Sequence, residues 1–498
     1  MAVVGAMNDG TYGNGSRGAA YVLVRDPLSA GWQTAAKLLP PNFGVIGSSP
    51  VVDFGRRVAM RGDLIAIASP STRIDGNTYG VVQLHLLAPW GQYVTVGHIT
   101  APSGLVPYAG CQGHLAFGES LALWSDRIYV GTSIGRGPGA GVGGGVVFEF
   151  QFGQLGGAWL VGVHEPHDKM IGRNFGRVMA QYGDLVVIGA PGGGQCGSGV
   201  ATSGAAYVFQ STVLGLVERA KLTPPQGEVF GFGRHVAFDG GRALVGTISG
   251  PQGYEVHVFE AVSPDVWVHS GAIVIPFGAP YSFWGGELAL RGDDAFVATE
   301  AGYLHFRRRT DGTWSLIHTA IHGATSTQAF PIERSIFATD DQILVGCPEC
   351  FGCFVNTGGL VGVVDRNRLL HGRSTASIAS VGTQDFFLDF GLAGAGRFYF
   401  TLGSVSGTSP GIALPNSSDT LPLVFDAYTS TLLDRPTLTI TNGWGVLDEL
   451  GRADAQFRVP NGLDPSFAGL VLHHAAVTLD PVSGALAASN AVAVELVP

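Results

Sequence analysis

Segments 54–70, 117–133, 175–191, 232–248, 284–300 and 332–348 align on one another without a gap, at spacings of 48 to 63 residues. Each reads as an alternating apolar stretch, a polar turn of two or three residues, and a second alternating stretch, as in "FGRVMAQYGDLVVIGAP" at 175–191. Alternation on both sides of a short turn is the pattern of a β-hairpin. A chain that repeats one hairpin at this spacing can bury its strands only by stacking the copies, which is how propeller blades form.

After each hairpin comes a glycine-rich loop and a third strand, at 19–24, 80–87, 144–152, 204–210, 254–261, 302–309 and 359–366. A fourth strand with an aromatic residue follows at 31–38, 90–100, 266–274 and 313–321. Four strands per unit and seven third strands predict a seven-bladed β-propeller over residues 1–368. Ala59, Ala122, Ala180, Ala237 and Ala289 recur at one register position, where small side chains let neighbouring sheets approach near a narrow axis. The first unit opens at "MAVVGA" on its second strand, so its blade is incomplete. The missing strand comes either from elsewhere in the chain or from a start upstream of Met1; the second is the expectation, and an upstream start would also hold a signal peptide.

Composition agrees with an all-β chain: 76 glycines, 46% hydrophobic and 13% charged residues spread without a low-complexity tract. The formal charge of −10 and the lack of a basic run argue against nucleic-acid binding. Glycine, proline or a charge interrupts every apolar run before membrane-span length, so no membrane span is predicted.

The Phe-Gly that opens the hairpins and the Gly-Ala-Pro that closes them, clearest at Phe175-Gly176 and Gly189-Ala190-Pro191, resemble the FG-GAP repeats of integrin-α-type β-propellers. The resemblance covers residues 1–368 and speaks to fold more than to function. In that family some blades hold calcium in an Asp- and Asn-rich loop inside the first hairpin. The turns here, such as Arg61-Gly62-Asp63 and Trp124-Ser125-Asp126, are too short to wrap the ion, so no family-type metal site is expected. Asn8, Asp9, Asp75 and Asn77 lie in other loops and read as turn formers. The adhesion tripeptide spelled at 61–63 and 291–293 shares only its turn chemistry with the other copies, and reads as a hairpin turn.

From residue 376 the period disappears, and "QDFFLDFG", "GRFYFTLGS", "LPLVFDAYT", "PTLTITN", "ADAQFRVP", "LVLHHAAVTLD" and "NAVAVELVP" read as short strands of a C-terminal β-sandwich, 376–498. It resembles, more loosely, a C-terminal module of large secreted bacterial proteins. Residues 366–380 carry neither caps nor alternation and read as the linker. His473 and His474 are neighbours on one strand, so one is expected buried and one exposed.

The propeller topology places the loops joining strands two to three and four to one on a single face, where ligands of the resembled family bind. Candidates for that face are Arg73, Asp75, Asn77, Tyr79, His114, Arg136, His164, His167, Asp168 and Tyr281. "HEPHDK" at 164–169 is the densest polar cluster; His-x-x-His beside Glu165 and Asp168 suits zinc or acid–base work, and equally a solvated turn. Cys111 and Cys196 project from the same face of adjacent blades and form a candidate disulfide, and two of Cys347, Cys350 and Cys353 form another. That last trio could also bind metal with a fourth ligand, although Cys347 occupies a repeat position that is buried in other blades.

No zincin motif or phosphate loop is present, and 137–145 precedes a strand instead of opening a helix. The sequence names no catalytic residue and no cofactor, and it leans away from an enzyme. The expected function is a secreted or cell-surface binding or adhesion scaffold that recognises a protein or glycan with its loop face. The alternatives are a carbohydrate-active enzyme with its site in the funnel, which needs an acid and a base converging there, and a lectin, which should repeat one pocket in most blades.

Overall fold

The repeats fold as separate antiparallel sheets, one per sequence unit. The computed structural model describes residues 1–7, 9, 18–25, 32–40, 52–74, 77–78, 80–103, 106–107, 116–133, 135–136, 144–153, 157–168, 174–192, 203–225, 231–247, 254–275, 287–299, 302–309, 312–321, 335–338, 342–347, 360–365, 369–371, 375–379, 382–417, 419–449, 451–459 and 463–498. Sheet 1 contains β1 (Ala2–Ala6), β2 (Ala19–Arg25) and β3 (Trp32–Leu38), and β1 corresponds to the second strand of a blade. Sheets 2 to 6 have four strands each, in sequence order, and begin at Arg57, Ser120, Val178, His235 and Leu288. Among the described residues sheet 7 has three: Ser335–Ala338, Gln342–Cys347 and Leu360–Asp365.

Period-two alternation explains how the sheets stack. Within Leu185–Ala190 of sheet 4, Val186, Ile188 and Ala190 pack with Tyr129 and Val147 of sheet 3. Val187, from the same strand, packs with Phe232, Val236 and Val245 of sheet 5. Further clusters lie between sheets 1 and 2, 2 and 3, 5 and 6, and 6 and 7. Each core is thus shared by two consecutive sheets, the packing of a propeller.

The Phe-Gly motif is the joint between blades. Phe54, Phe117, Phe175 and Phe232 are fully buried. The Gly176 N–H donates to the Gly189 carbonyl of its own hairpin at 3.2 Å, while the Phe175-Gly176 backbone lies against sheet 3. A Cβ on Gly131 would stand 2.1 Å from the Gly176 oxygen, and one on Gly145 2.0 Å from the Phe175 oxygen. Two glycines of one blade therefore clamp the Phe-Gly peptide of the next. The same arrangement joins Gly189 and Gly204 to Gly233 and Phe232, and Gly5 and Gly18 to Gly55 and Phe54.

At the other end of the first strand in sheets 2 to 6 the hairpin closes in two residues. Arg61 pairs with Leu64, Trp124 with Arg127, Tyr182 with Leu185, Asp239 with Arg242 and Arg291 with Asp294. Gly62, Ser125, Gly183, Gly240 and Gly292 all take φ between 52° and 59°, the left-handed conformation that such tight hairpins require.

Residues 369–498 contribute two larger sheets. Leu369–His371, Thr383–Asp389, Arg452–Arg458 and Ile440–Thr441 form one. The other is built around Val471–Leu479, Phe398–Ser404 and Val492–Val497. Phe386, Leu388 and Phe457 of the first sheet share one core with Tyr399, Leu402, Leu472 and Val494 of the second, the arrangement expected of a sandwich. His474 is buried there and His473 half-buried.

Two expectations need correction in this part. The segment "LPLVFDAYT" is not a strand throughout, because α1 (Ala427–Asp434) begins inside it. Asp426 accepts the Thr429 N–H at 3.0 Å while Thr429 reaches back to the Asp426 N–H, a reciprocal cap visible as Asp-x-x-Thr. Segment 366–380 is not bare linker either: Leu369–His371 pairs with Phe387–Asp389, and Thr375–Ser377 runs parallel to Glu495–Val497. Among the described residues no helix is long and apolar enough to cross a membrane.

Candidate functional site

The two residues after each Phe-Gly begin the first strand of their blade. They are Arg56-Arg57, Glu119-Ser120, Arg177-Val178 and Arg234-His235, and Glu287 stands at the matching register position of sheet 6. First strands of consecutive sheets are neighbours from sheet 2 through sheet 7, so they line the axis, and these residues lie at its mouth on the loop face.

The side chains meet there. Arg57 donates through Nε to the Glu119 carbonyl at 3.0 Å and through Nη1 to Glu287 at 3.2 Å. The second contact spans from sheet 2 to sheet 6, which is possible only across a shared centre. Arg177 Nη1 lies 3.2 Å from Glu119 Oε1, and Ser133 donates to the other oxygen of that carboxylate. His235 sits in the same wall; burial, followed by the positive charges of Arg234, Arg177 and Arg57, pushes its imidazole down to about 3. It is neutral at ordinary pH and adds no charge.

Arg57 and Arg177 stand beside two carboxylates, Glu119 and Glu287, and the charge of Arg234 reaches the same wall at His235. A local cationic excess inside a chain of net charge −10 creates a field that draws anionic groups towards the axis. The arginines can also recognise carboxylate or sulfate through paired N–H groups. The signal in the sequence was a register column of charged residues directly after Phe-Gly, a place where packing alone would select small or apolar side chains.

The polar cluster at 164–168 is drawn apart by its neighbours. His164 Nε2 lies 2.8 Å from Glu149, a buried carboxylate of its own sheet that Arg127 also approaches at 3.4 Å. His167 reaches Glu218 of sheet 4 at 2.5 Å. Asp168 accepts from Tyr207 at 2.8 Å and Lys221 at 2.6 Å, also of sheet 4. His164 and His167 therefore face different partners, and the segment bolts the outer strand of sheet 3 to sheet 4.

Arg73 and Asn77 belong to a small hairpin, Arg73–Ile74 with Asn77–Thr78, between the second and third strands of sheet 2. Arg136 lies in Gly135–Arg136, which pairs with Val106–Pro107. Both hairpins are on loops of the predicted ligand face. Asp75, Tyr79, His114 and Tyr281 lie outside the described residues, as do Cys111, Cys196, Cys350 and Cys353. Cys347 ends the second strand of sheet 7.

With this geometry in view, the comparisons with known proteins are narrow. One segment, residues 165–209, matches the FG-GAP repeat. It runs from the 164–168 cluster through the first three strands of sheet 4. No curated protein matches the chain. Among solved structures, Hsv2 of Kluyveromyces lactis superposes with a TM-score of 0.36 and 12% identity, covering 74% of this chain and 87% of that one. A prolyl endopeptidase superposes with a TM-score of 0.36 and 13% identity, covering 76% and 52%. Scores this low carry no argument, and the propeller reading rests on the sheets and their shared cores.

Proposed function

We propose that this chain is a binding scaffold, not an enzyme, and that it takes an acidic protein segment or acidic glycan at the loop-face mouth of the axis. The observation that carries the reading is the convergence of Arg57, Arg177 and Arg234 from three separate sheets on one space, with His235 held neutral beside them. A secreted or cell-surface setting and a role in adhesion follow from the Phe-Gly resemblance. The C-terminal sheets would then attach or space the propeller.

The test is binding of a uronate-bearing oligosaccharide, its neutral counterpart and an acidic peptide to the intact chain and to the Arg177→Ala and Arg234→Ala variants. One charged hydrogen bond contributes about 1.5–3 kcal/mol, so each variant should weaken acidic-ligand binding roughly tenfold or more, with added salt acting the same way. Equal affinity for the neutral sugar, or unchanged binding in both variants, overturns the reading.

A carbohydrate-active enzyme is the second reading, favoured by Glu119 and Glu287 reaching the channel from non-equivalent blades. Each is bonded to an arginine of another blade, a pairing that an acid–base role would have to break. Turnover of a glycan that disappears in Glu119→Gln and Glu287→Gln would establish it instead.

A further inference from the structure

Three polar residues of sheet 5 depart together from the repeat. Glu255 and His257 lie on its third strand, Glu255–Ser263, and His269 on its fourth, Val266–Val274. Register fixes their equivalents, since His257 stands opposite Val245 as Phe148 stands opposite Val130 and Leu304 opposite Val297. His269 stands opposite Phe259 as Leu160 stands opposite Phe150 and Leu316 opposite Phe306. The places of Glu255, His257 and His269 are therefore taken by Val146, Phe148 and Leu160 in sheet 3, and by Gly302, Leu304 and Leu316 in sheet 6. Sheets 2 and 4 hold one or two polar side chains at these places and no histidine. Packing between blades is met without the imidazoles, so another reason for them is needed.

The three side chains meet. His257 Nδ1 lies 3.2 Å from His269 Nε2, and His257 Nε2 lies 3.5 Å from Glu255 Oε2. His257 packs against the Phe232 ring and His269 against the Phe259 ring, both in the core shared with sheet 4. His257 is 4% exposed, yet its Nε2 has no hydrogen-bond partner; the Glu255 contact is longer than an ordinary N–H···O bond. The Glu255 carboxylate is buried as well, and among the described residues its ion-pair partner is this imidazole, with no lysine or arginine beside it.

Two imidazole nitrogens facing each other can share a hydrogen bond or hold one metal ion. Two nitrogens on a tetrahedral zinc, each about 2.0–2.1 Å from the ion, are about 3.3 Å apart. A carboxylate behind the ring is the usual companion of a metal-bound histidine, because it accepts the other ring N–H and fixes which nitrogen faces the ion. A cation there would also compensate the charge of a carboxylate that has no basic side chain.

We infer that His257 Nδ1 and His269 Nε2 form a two-histidine site for a divalent transition metal of the zinc class, with Glu255 orienting His257 from behind. Imidazole selects such ions over calcium and magnesium, which take oxygen ligands. No group of three or more His, Cys, Asp or Glu among the described residues could hold a metal, so the other coordination positions fall to water or to a bound ligand. His269 is only half-buried, which gives the ion its way in. This inference does not depend on the acidic-ligand reading.

The experiment titrates the full chain, stripped by a chelator, with Zn2+, and repeats the titration with Ca2+ and with the variants His269→Ala and Glu255→Gln. Zinc should raise the unfolding midpoint, and the chain should bind one equivalent more than His269→Ala does. Glu255→Gln keeps both nitrogens and should hold that equivalent about ten- to a hundredfold more weakly. Calcium should raise neither the midpoint nor the count. A readout that needs no variant is acylation of histidines by diethyl pyrocarbonate, mapped by mass spectrometry, in which zinc should slow the reaction of His269 severalfold. Equal zinc stoichiometry in the chain and in His269→Ala, undiminished affinity in Glu255→Gln, calcium acting as zinc does, or acylation of His269 unmoved by zinc would each overturn the proposal and leave a plain hydrogen-bonded pair.

Discussion

Arg307 of sheet 6 and Asp389 of the C-terminal sheets meet 2.8 Å apart, both about 5% exposed. Arg307 also bonds Asp294 at 2.9 Å, while Arg452 reaches Asp389 at 3.2 Å and Asp294 at 3.0 Å. Two arginines and two aspartates thus alternate around a closed ring, buried at all members but the half-buried Arg452, that joins the propeller sheets to the C-terminal ones. Removing one member strands its partners' charge in a poorly solvated place. Arg307→Ala should cost about 3–5 kcal/mol, read as a lower midpoint in urea unfolding. Replacing all four by apolar residues of similar volume should cost far less, because the desolvation penalty vanishes with the charges. A small effect of the single change would mean that water reaches the ring.

Acid should destabilise the chain earlier than its carboxylates alone would cause. Burial in the C-terminal core pushes His474 down to about 3, with the Tyr428 hydroxyl 3.0 Å from Nε2. Burial likewise lowers His85 and His257 to about 4. A histidine depressed in the folded state takes up protons first in the unfolded one. Its contribution is therefore complete above the unfolded value of about 6.5 and is lost as pH falls from there towards the folded value. Between pH 6.5 and 5 each such group removes roughly 2 kcal/mol. His474→Leu should flatten the slope of stability against pH in that window, measured by urea midpoints at pH 7 and pH 5.

How much of this was legible depended on whether a feature repeats. The hairpins, the small residues at Ala122 and Ala237 and the shared cores follow from period-two alternation and from copies that confirm one another. α1 was hidden because its Asp426 cap, with Ser404, Val405 and Ser406 also donating to the carboxylate, occurs once and follows an apolar run that also suits a strand. The axial arginines stand in one register column but are spread thinly along the chain, whereas "HEPHDK" is dense; convergence across blades is a better guide to a site than density along the chain. The Arg307–Asp389 contact pairs residues 82 positions apart, and no local pattern announces it. Position 294 does carry a trace. Sheet 5 pairs Arg242 with Glu260 in the register where sheet 6 pairs Asp294 with Arg307, a reversal of sign.

The two Arg-Gly-Asp tripeptides serve neighbouring blades. Arg61 lies over the Trp124 ring, 4.2 Å from its centroid. Arg291 reaches Asp239 at 3.2 Å, and Arg242 bonds both the Gly292 carbonyl and Asp293. Arg61→Ala should cost about 0.5–1 kcal/mol of stability and leave ligand binding unchanged, because the turn is at the opposite end of the strand from the axial arginines. Cell-attachment and ligand-binding assays on this variant decide the matter. Loss of either activity, with the unfolding midpoint held, would restore the adhesion reading.

Two glycines of sheet 4 separate conformational need from close contact. At Gly183 a Cβ would meet nothing within 4 Å, so the left-handed backbone at φ 59° is the sole obstacle. Gly183→Ala should cost about 1–2 kcal/mol. At Gly189 the same Cβ would stand 2.1 Å from the Gly233 carbonyl oxygen, and backbone cannot swing aside as a side chain can. Accommodating it requires sheets 4 and 5 to part at the joint where Phe232 is buried. Gly189→Ala should therefore cost more than Gly183→Ala, about 3 kcal/mol or above, and should loosen hydrogen-exchange protection in sheet 5 as well as in sheet 4. Equal costs for the two variants, or protection lost only within sheet 4, would show that the Phe-Gly peptide is not the joint between blades.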